Sequence, residues 1–278
     1  MLTGERHVFR STRIVGRLDL SFLTIPVPIE FVGCEFEGRI DLTGAECSKL
    51  DLAESNLRQG LTAEFAHIRG PVFLNRGLTS NGQIRFTQAT IDGDVDLSRA
   101  TVTDVGSKPA ISLRGAHVLG SVLMHRLRTS GEVRLQHAHI GGLLGLAGAQ
   151  ITVENAVALN LSGAEVTGNI YLDDGFVSTG EICAPGLRLA GALDCQGAMV
   201  SNPDGFALRF ERARLDSDVR LQGLRTVGEV GFNGAIVGGD VRLAGASIDN
   251  GDGIAFGARS THIRGSLHFD SSPEGEAR

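Results

Sequence analysis

Tryptophan is absent from the 278 residues, tyrosine occurs once (Tyr171), and there are only 7 prolines and 3 methionines. The scarcity of Trp and Tyr removes the aromatic platforms on which sugar rings or unpaired bases stack. The four cysteines, Cys34, Cys47, Cys183 and Cys195, form no CxxC pair and no zinc-like spacing. Three of them fall at core positions of the repeat described below, which predicts free buried thiols in a reducing, cytoplasmic setting. No apolar run approaches the length of a membrane span, and the start, Met1–Arg13, has no apolar signal segment. No membrane association is therefore expected. A formal net charge of −6 lacks the basic footprint that direct nucleic-acid or anionic-lipid binding requires. Few prolines beside 38 glycines argue against collagen, and 42% hydrophobic residues argue against disorder.

What the chain does have is a repeat. The phrase Gly-x-Φ-x-Φ, with Φ apolar, starts at Gly16, Gly38, Gly82, Gly93, Gly131, Gly142, Gly168, Gly228, Gly239 and Gly265. A second phrase, Ala-x-Φ, follows many copies, as at Ala100-Thr-Val102, Ala138-His-Ile140 and Ala246-Ser-Ile248. Alternation with period two predicts short strands. Each unit can bury its apolar side only against copies of itself, which is the logic of a solenoid. Two phrases make one coil of about 22 residues, lengthening to about 26 where segments are inserted. The expected fold is an all-β parallel β-helix of about eleven coils, roughly 50 Å long at the usual strand spacing.

Two inward ladders follow from the pattern. One runs from Ile29/Phe31 through Val95/Leu97 and Ile170/Leu172 to Leu267/Phe269. The other runs from Leu18/Leu20 through Val133/Leu135 to Ile254/Phe256. Near Gly60 the second ladder places Glu64 at a nominal core slot, so a register slip is expected there. The expected domain layout is an N-terminal cap over 1–14, a single solenoid over 15–270 and a disordered tail over 271–278.

Within residues 38 to 57, Leu42, Cys47, Leu52 and Leu57 fall five apart, with Ala45 and Ser55 two residues before their centres. This stretch resembles the pentapeptide-repeat family, with its loose Ala-(Asp/Asn)-Leu-x-x unit. The resemblance implies a four-sided, right-handed β-helix. It also implies a protein partner, because some members imitate DNA in size and charge and bind type II topoisomerases. The Gly-x-Φ phrase is in addition similar to that of bactofilins, which implies a self-associating scaffold.

Candidate sites are sought where the repeat is interrupted or points outward. Four insertions occur on every second coil: Asp104–Pro109, Thr152–Ala156, Ser201–Gly205 and Asp249–Gly253. They carry Asp104, Glu154, Asp204, Asp249 and Asp252, read either as an acidic partner-binding edge or as ordinary turn chemistry. The Asp249–Gly253 segment lacks the bidentate Glu of a calcium loop. In the outward column of the Ala-x-Φ phrase, His117, His139 and Glu165 should be neighbours, either as metal ligands or as a solvated stack. His137 is expected to share an outward face with His139. Phe73, Leu123 and Tyr171 fall on one outward ladder and form a second candidate partner surface. Outward residues are acidic in the N-terminal coils (Asp19, Asp41, Asp51) and basic in the C-terminal ones (Arg209, Arg220, Arg242).

No GxSxG, phosphate-binding loop or dinucleotide fingerprint occurs in a strand–helix context. No cofactor is expected, and a polysaccharide-active β-helix enzyme ranks below two non-enzymatic readings. The first is a binding solenoid. The second is a scaffold that self-associates through its C-terminal coil.

Overall fold

The computed structural model describes residues 8–103, 106 and 109–269; of residues 154 and 155 it describes the backbone alone. The period-two phrases form strands, mostly of two residues each, and the described residues contain no helix. All pairing is parallel, between the same phrase on successive coils. Four ladders result, one per side of the coil. The first face holds twelve strands, from Val8–Arg10 to Leu267–His268. The second face begins with Arg13–Ile14 and the third with Leu18–Asp19. The fourth holds eleven strands, from Thr24–Ile25 to His262–Ile263. The chain thus makes about eleven coils of a four-sided parallel solenoid.

Register is set by the inward residues, because a one-residue slip would turn every apolar side chain outward. On the first face Ile29, Leu50, Val72, Val95, Val122 and Leu144 stack in one column, continuing to Leu267 as the sequence pattern predicts. Most of the core side chains are fully buried, each Val, Leu, Ile or Phe among them contributing about 1.5–3 kcal/mol of burial free energy. Phe210, Phe232 and Phe256 stack along the axis with ring centroids 5.2 and 5.7 Å apart.

Three expectations need correction. No slip occurs near Gly60: Leu61 pairs with Ile40 and Ile84 in register, Ala63 fills the next inward slot, and Glu64 faces Arg85 at 3.6 Å. In the last coil Phe256, not Ile254, pairs with Val230, and Ile254 is left exposed in the inserted segment. Inserted segments Thr152–Ala156 and Ser201–Gly205 are not plain loops. They lie within the continuous strands Gln150–Asn160 and Met199–Arg209 as bulges that join the second and third faces.

Within the stretch expected as a cap, Val8–Arg10 pairs with Glu30–Val32 and Arg13–Ile14 with Glu35–Phe36, so residues 8–14 extend the ladders. The expected tail, 271–278, lies outside the described residues.

The corners explain the glycines. Between the fourth and first faces, Gly70, Gly93, Gly120, Gly142, Gly168, Gly191 and Gly265 form a staircase in which an added Cβ would strike the coil below. Beside them, side-chain oxygens accept backbone N–H groups of the next coil. Asp94 takes Ser121 N (2.7 Å), Asn169 takes Ala192 N (2.8 Å), Asp218 takes Asp240 N (3.0 Å) and Asp240 takes Ser266 N (2.9 Å). These accepted bonds hold the Asp218 and Asp240 carboxyls below the ordinary carboxylate pKa, against partial desolvation, with Arg242 assisting at both.

Candidate functional site

At the corner between the second and third faces, the insertions recur on every second coil, about 10 Å apart along the axis. In the last two insertions the neck is closed by asparagine: Asn202 Nδ2 donates to Phe206 O and Asn250 Nδ2 to Ile254 O, both at 2.8 Å. Asp204, Asp249 and Asp252 are exposed. Asp249 accepts Gly251 N at 3.0 Å, so its carboxylate also serves the turn. Asp104 lies outside the described residues, and the side chain of Glu154 is not described.

The candidate apolar ladder is real in register but discontinuous in chemistry. Phe73 pairs with Asp96, then come Leu123, Gly145, Tyr171 and Asp194. Phe73, Leu123 and Tyr171 are half-buried, each two coils from the next. Lys49 Nζ sits 5.1 Å over the Phe73 ring, and Asn169 donates to the Tyr171 hydroxyl at 2.6 Å.

On the fourth face the outward column reads Thr24, Glu46, His67, Thr90, His117, His139, Glu165, Arg188, Arg214, Ile236, His262. His67, absent from the sequence reading of this column, fills its gap. His117 and His139 stack face to face, with centroids 4.5 Å apart and planes 6° from parallel. Stacked imidazoles direct their nitrogens sideways rather than toward a shared point. Glu165 lies 3.5 Å from His139 Nε2 and is also held by Arg188 at 2.9 Å. Among the described residues no group of three His, Cys, Asp or Glu side chains is placed to hold a metal ion. His137 does not join this column. It occupies the left-handed corner, at φ 54°, and its ring lies against Gly163 of the next coil.

Acidic residues on the outer ladders are widely matched by arginine on a neighbouring coil or strand position. Arg13 pairs with Glu37, Arg17 with Asp41, Arg69 with Glu46, Arg188 with Glu165, Arg220 with Asp194 and Arg242 with Asp218. The N-terminal acidity is therefore largely neutralised in place.

All four cysteines are free and buried. Cys183 belongs to the outward column of the third face, as the pattern predicts, yet it is covered: Arg209 Nη2 donates to its Sγ at 3.1 Å. Burial raises the thiol pKa at Cys47 to about 11 and pushes Cys183 and Cys195 up as well. None of these three is poised as a thiolate nucleophile.

Two features escaped the sequence reading. Four residues after the first apolar residue of the first-face strands comes a corner with positive φ. There Arg76, Arg99 and Arg126 occupy three successive coils. From Ser80 onward, the coils without insertions carry an inward hydroxyl on the second face, at Ser80, Thr129, Ser178 and Thr226, each two residues before a glycine, where the first coils have Ile14, Phe36 and Leu57. Both signals were present in the sequence as fixed offsets within the repeat.

No helix among the described residues is long and apolar enough to cross a membrane. No family model and no curated protein matches the chain.

Proposed function

We propose that the chain is a non-enzymatic interaction rod of pentapeptide-repeat type that holds a protein partner on its outward ladders, in the cytoplasm. The observation that carries this reading is the unbroken register of the outward columns. Side chains one coil apart sit in fixed rows, many tied to each other by ion pairs across coils. Such a surface is ordered before a partner arrives, which lowers the entropic cost of binding. A rod roughly 50 Å long with net charge −6 suits a partner that presents a basic groove, and a type II topoisomerase is the specific version. The test is DNA supercoiling by that enzyme. Inhibition at micromolar protein that weakens with added salt supports this version; unchanged supercoiling across that range overturns it.

Exposed apolar side chains on the first and last described coils favour a second reading, a self-associating scaffold similar to bactofilins. Phe9 is 48% exposed, and Phe269 on the last described coil is 65% exposed. End-to-end stacking would continue the ladders and cover these rings. Molar mass by light scattering over a hundredfold concentration range decides the point. Open-ended growth that Phe269→Lys abolishes supports the scaffold; a mass independent of concentration overturns it.

A further inference from the structure

Arg76, Arg99 and Arg126 occupy the same corner of three consecutive coils, with φ of 55°, 60° and 55°. This left-handed conformation is costly for any residue with a Cβ and free for glycine. On the other described coils the same corner is glycine at Gly33, Gly148, Gly197, Gly223 and Gly245, and a non-glycine residue at Ser11, Glu54 and Asp174, also at positive φ; arginine is the one side chain that recurs there. An arginine retained three times running, where glycine is conformationally cheaper, points to a use for the side chain. That use is not internal pairing. Arg99 and Arg126 make no ion pair or side-chain hydrogen bond with any described residue, and Arg76 reaches only the exposed Glu54 at 4.0 Å. All three are exposed, and like charges one coil apart repel.

Two shallow cavities run between them. One, of about 410 Å³, is lined by Asn75, Arg76, Gly77, Ser98 and Arg99. The other, of about 380 Å³, is lined by Ser98, Arg99, His125, Arg126, Ala147 and Asp174. They share Ser98 and Arg99, so they form one groove along the corner, with the exposed Asp174 lining its far end.

We infer that this arginine column binds a short acidic segment of a partner polypeptide, laid along the rod axis. The spacing fits. Stacked coils place the outer two arginines ~10 Å apart, and three same-side carboxylates of an extended peptide span ~13 Å, within the reach of flexible arginine side chains. Guanidinium groups pair with carboxylates two hydrogen bonds at a time. The groove holds no Phe, Tyr or Trp and His125 as its one ring, a poor platform for a run of stacked bases, and the net charge of −6 opposes a long polyanion. Asp174 limits the run to a few residues. This inference rests on the reading of the chain as a binding rod and names the chemistry of one partner segment. The supercoiling assay reads the rod as a whole and the assay below reads only this column, so the two can fail separately.

The probe is a fluorescein-labelled oligoglutamate of about five residues, the length that carries three same-side carboxylates, followed by anisotropy at low salt, with oligoglutamine and oligothymidylate of equal length as comparisons. Wild-type protein should bind oligoglutamate, release it at high salt and ignore oligoglutamine. The double variant Arg99→Gly with Arg126→Gly installs the residue found at the equivalent corners. It should keep the thermal midpoint and lose about tenfold or more in affinity. Arg225→Glu, at an exposed arginine on another face, should leave binding within about twofold. Wild-type affinity in the folded double glycine variant overturns the site, as does a failure of oligoglutamate to bind. Tighter binding of oligothymidylate than of oligoglutamate, lost in the same variant, overturns the peptide assignment in favour of nucleic acid.

Discussion

A Cβ added to Gly168 would lie 2.8 Å from the carbonyl carbon and oxygen of Gly142 and from the amide nitrogen of Leu143 on the coil below. Those atoms belong to the backbone and cannot rotate away, so alanine there must push two coils apart. Gly197 presents the opposite case: its φ is 65°, but an added Cβ has nothing within 4 Å. Alanine at Gly197 meets only left-handed strain, about 1 kcal/mol. We expect Gly168→Ala to cost about 2–4 kcal/mol and to lower the melting temperature by several degrees more than Gly197→Ala. Thermal unfolding of the two variants side by side checks this; equal losses would mean that the staircase is not close-packed. The repeat showed where both glycines fall but not why, because a motif records position and not which atoms approach it. The same blindness affected Glu64 and His137. Glu64 looked like a core residue only because the small Ala63 was not recognised as the occupant of the inward slot. The pattern places His137 on a strand face, whereas a corner at positive φ takes it off the face altogether.

At the scale of strands and corners, the chain from Ser80 onward alternates two ways of passing from the second face to the third. One coil makes the passage through an insertion closed by asparagine at its neck, as at Asn202 and Asn250. The next makes it directly, with a buried hydroxyl two residues before glycine. Ser80 Oγ donates to Gly82 O at 2.7 Å, and Thr129 and Ser178 repeat the bond at 3.3 and 3.2 Å. Thr226 occupies the same slot, but its Oγ1 is buried without a partner among the described residues. The two should therefore respond oppositely. Ser80→Ala removes a bond that satisfies a carbonyl and should destabilise by about 1–2 kcal/mol. Thr226→Val removes an unsatisfied hydroxyl at nearly constant shape and should be neutral or stabilising by up to about 1 kcal/mol. Melting temperatures would settle it, and a loss at Thr226 as large as that at Ser80 would show that both hydroxyls are bonded. The insertions were legible from their length and turn residues. Their conversion into bulged strands was not, because the strands Gln150–Asn160 and Met199–Arg209 are held by pairing on both sides of each insertion with Val177–Cys183 and Arg225–Gly231 on the next coil, which no local pattern encodes.

For the whole molecule, coil number, parallel pairing and the first-face register were all legible, because each depends only on a repeated apolar pair. The surfaces were less so: a column seen along the sequence is a set of residue types, whereas its chemistry depends on what stands one coil above and below. That nearest-neighbour character also governs how the rod should fail. Each coil packs only on the two beside it, so stability is close to a sum of coil and interface contributions along one dimension. Leu135 and Leu243 are both inward residues, 0% and 5% exposed, in the middle and near the end of the rod. An aspartate at either site buries a carboxylate among apolar side chains, at a cost of several kcal/mol. Near the end that cost has a local escape: the last two coils detach and the rest of the stack stands. In the middle there is none, because letting go of either side surrenders about half of the core. Hydrogen exchange should therefore show Leu243→Asp losing protection only beyond about residue 230, with little change in the main melting transition. Leu135→Asp should instead lower that transition by about 10 °C or more and release protection on both sides of the substitution. If Leu243→Asp unfolds the N-terminal coils as readily as the C-terminal ones, the rod is a single cooperative unit and the linear account of its stability is wrong.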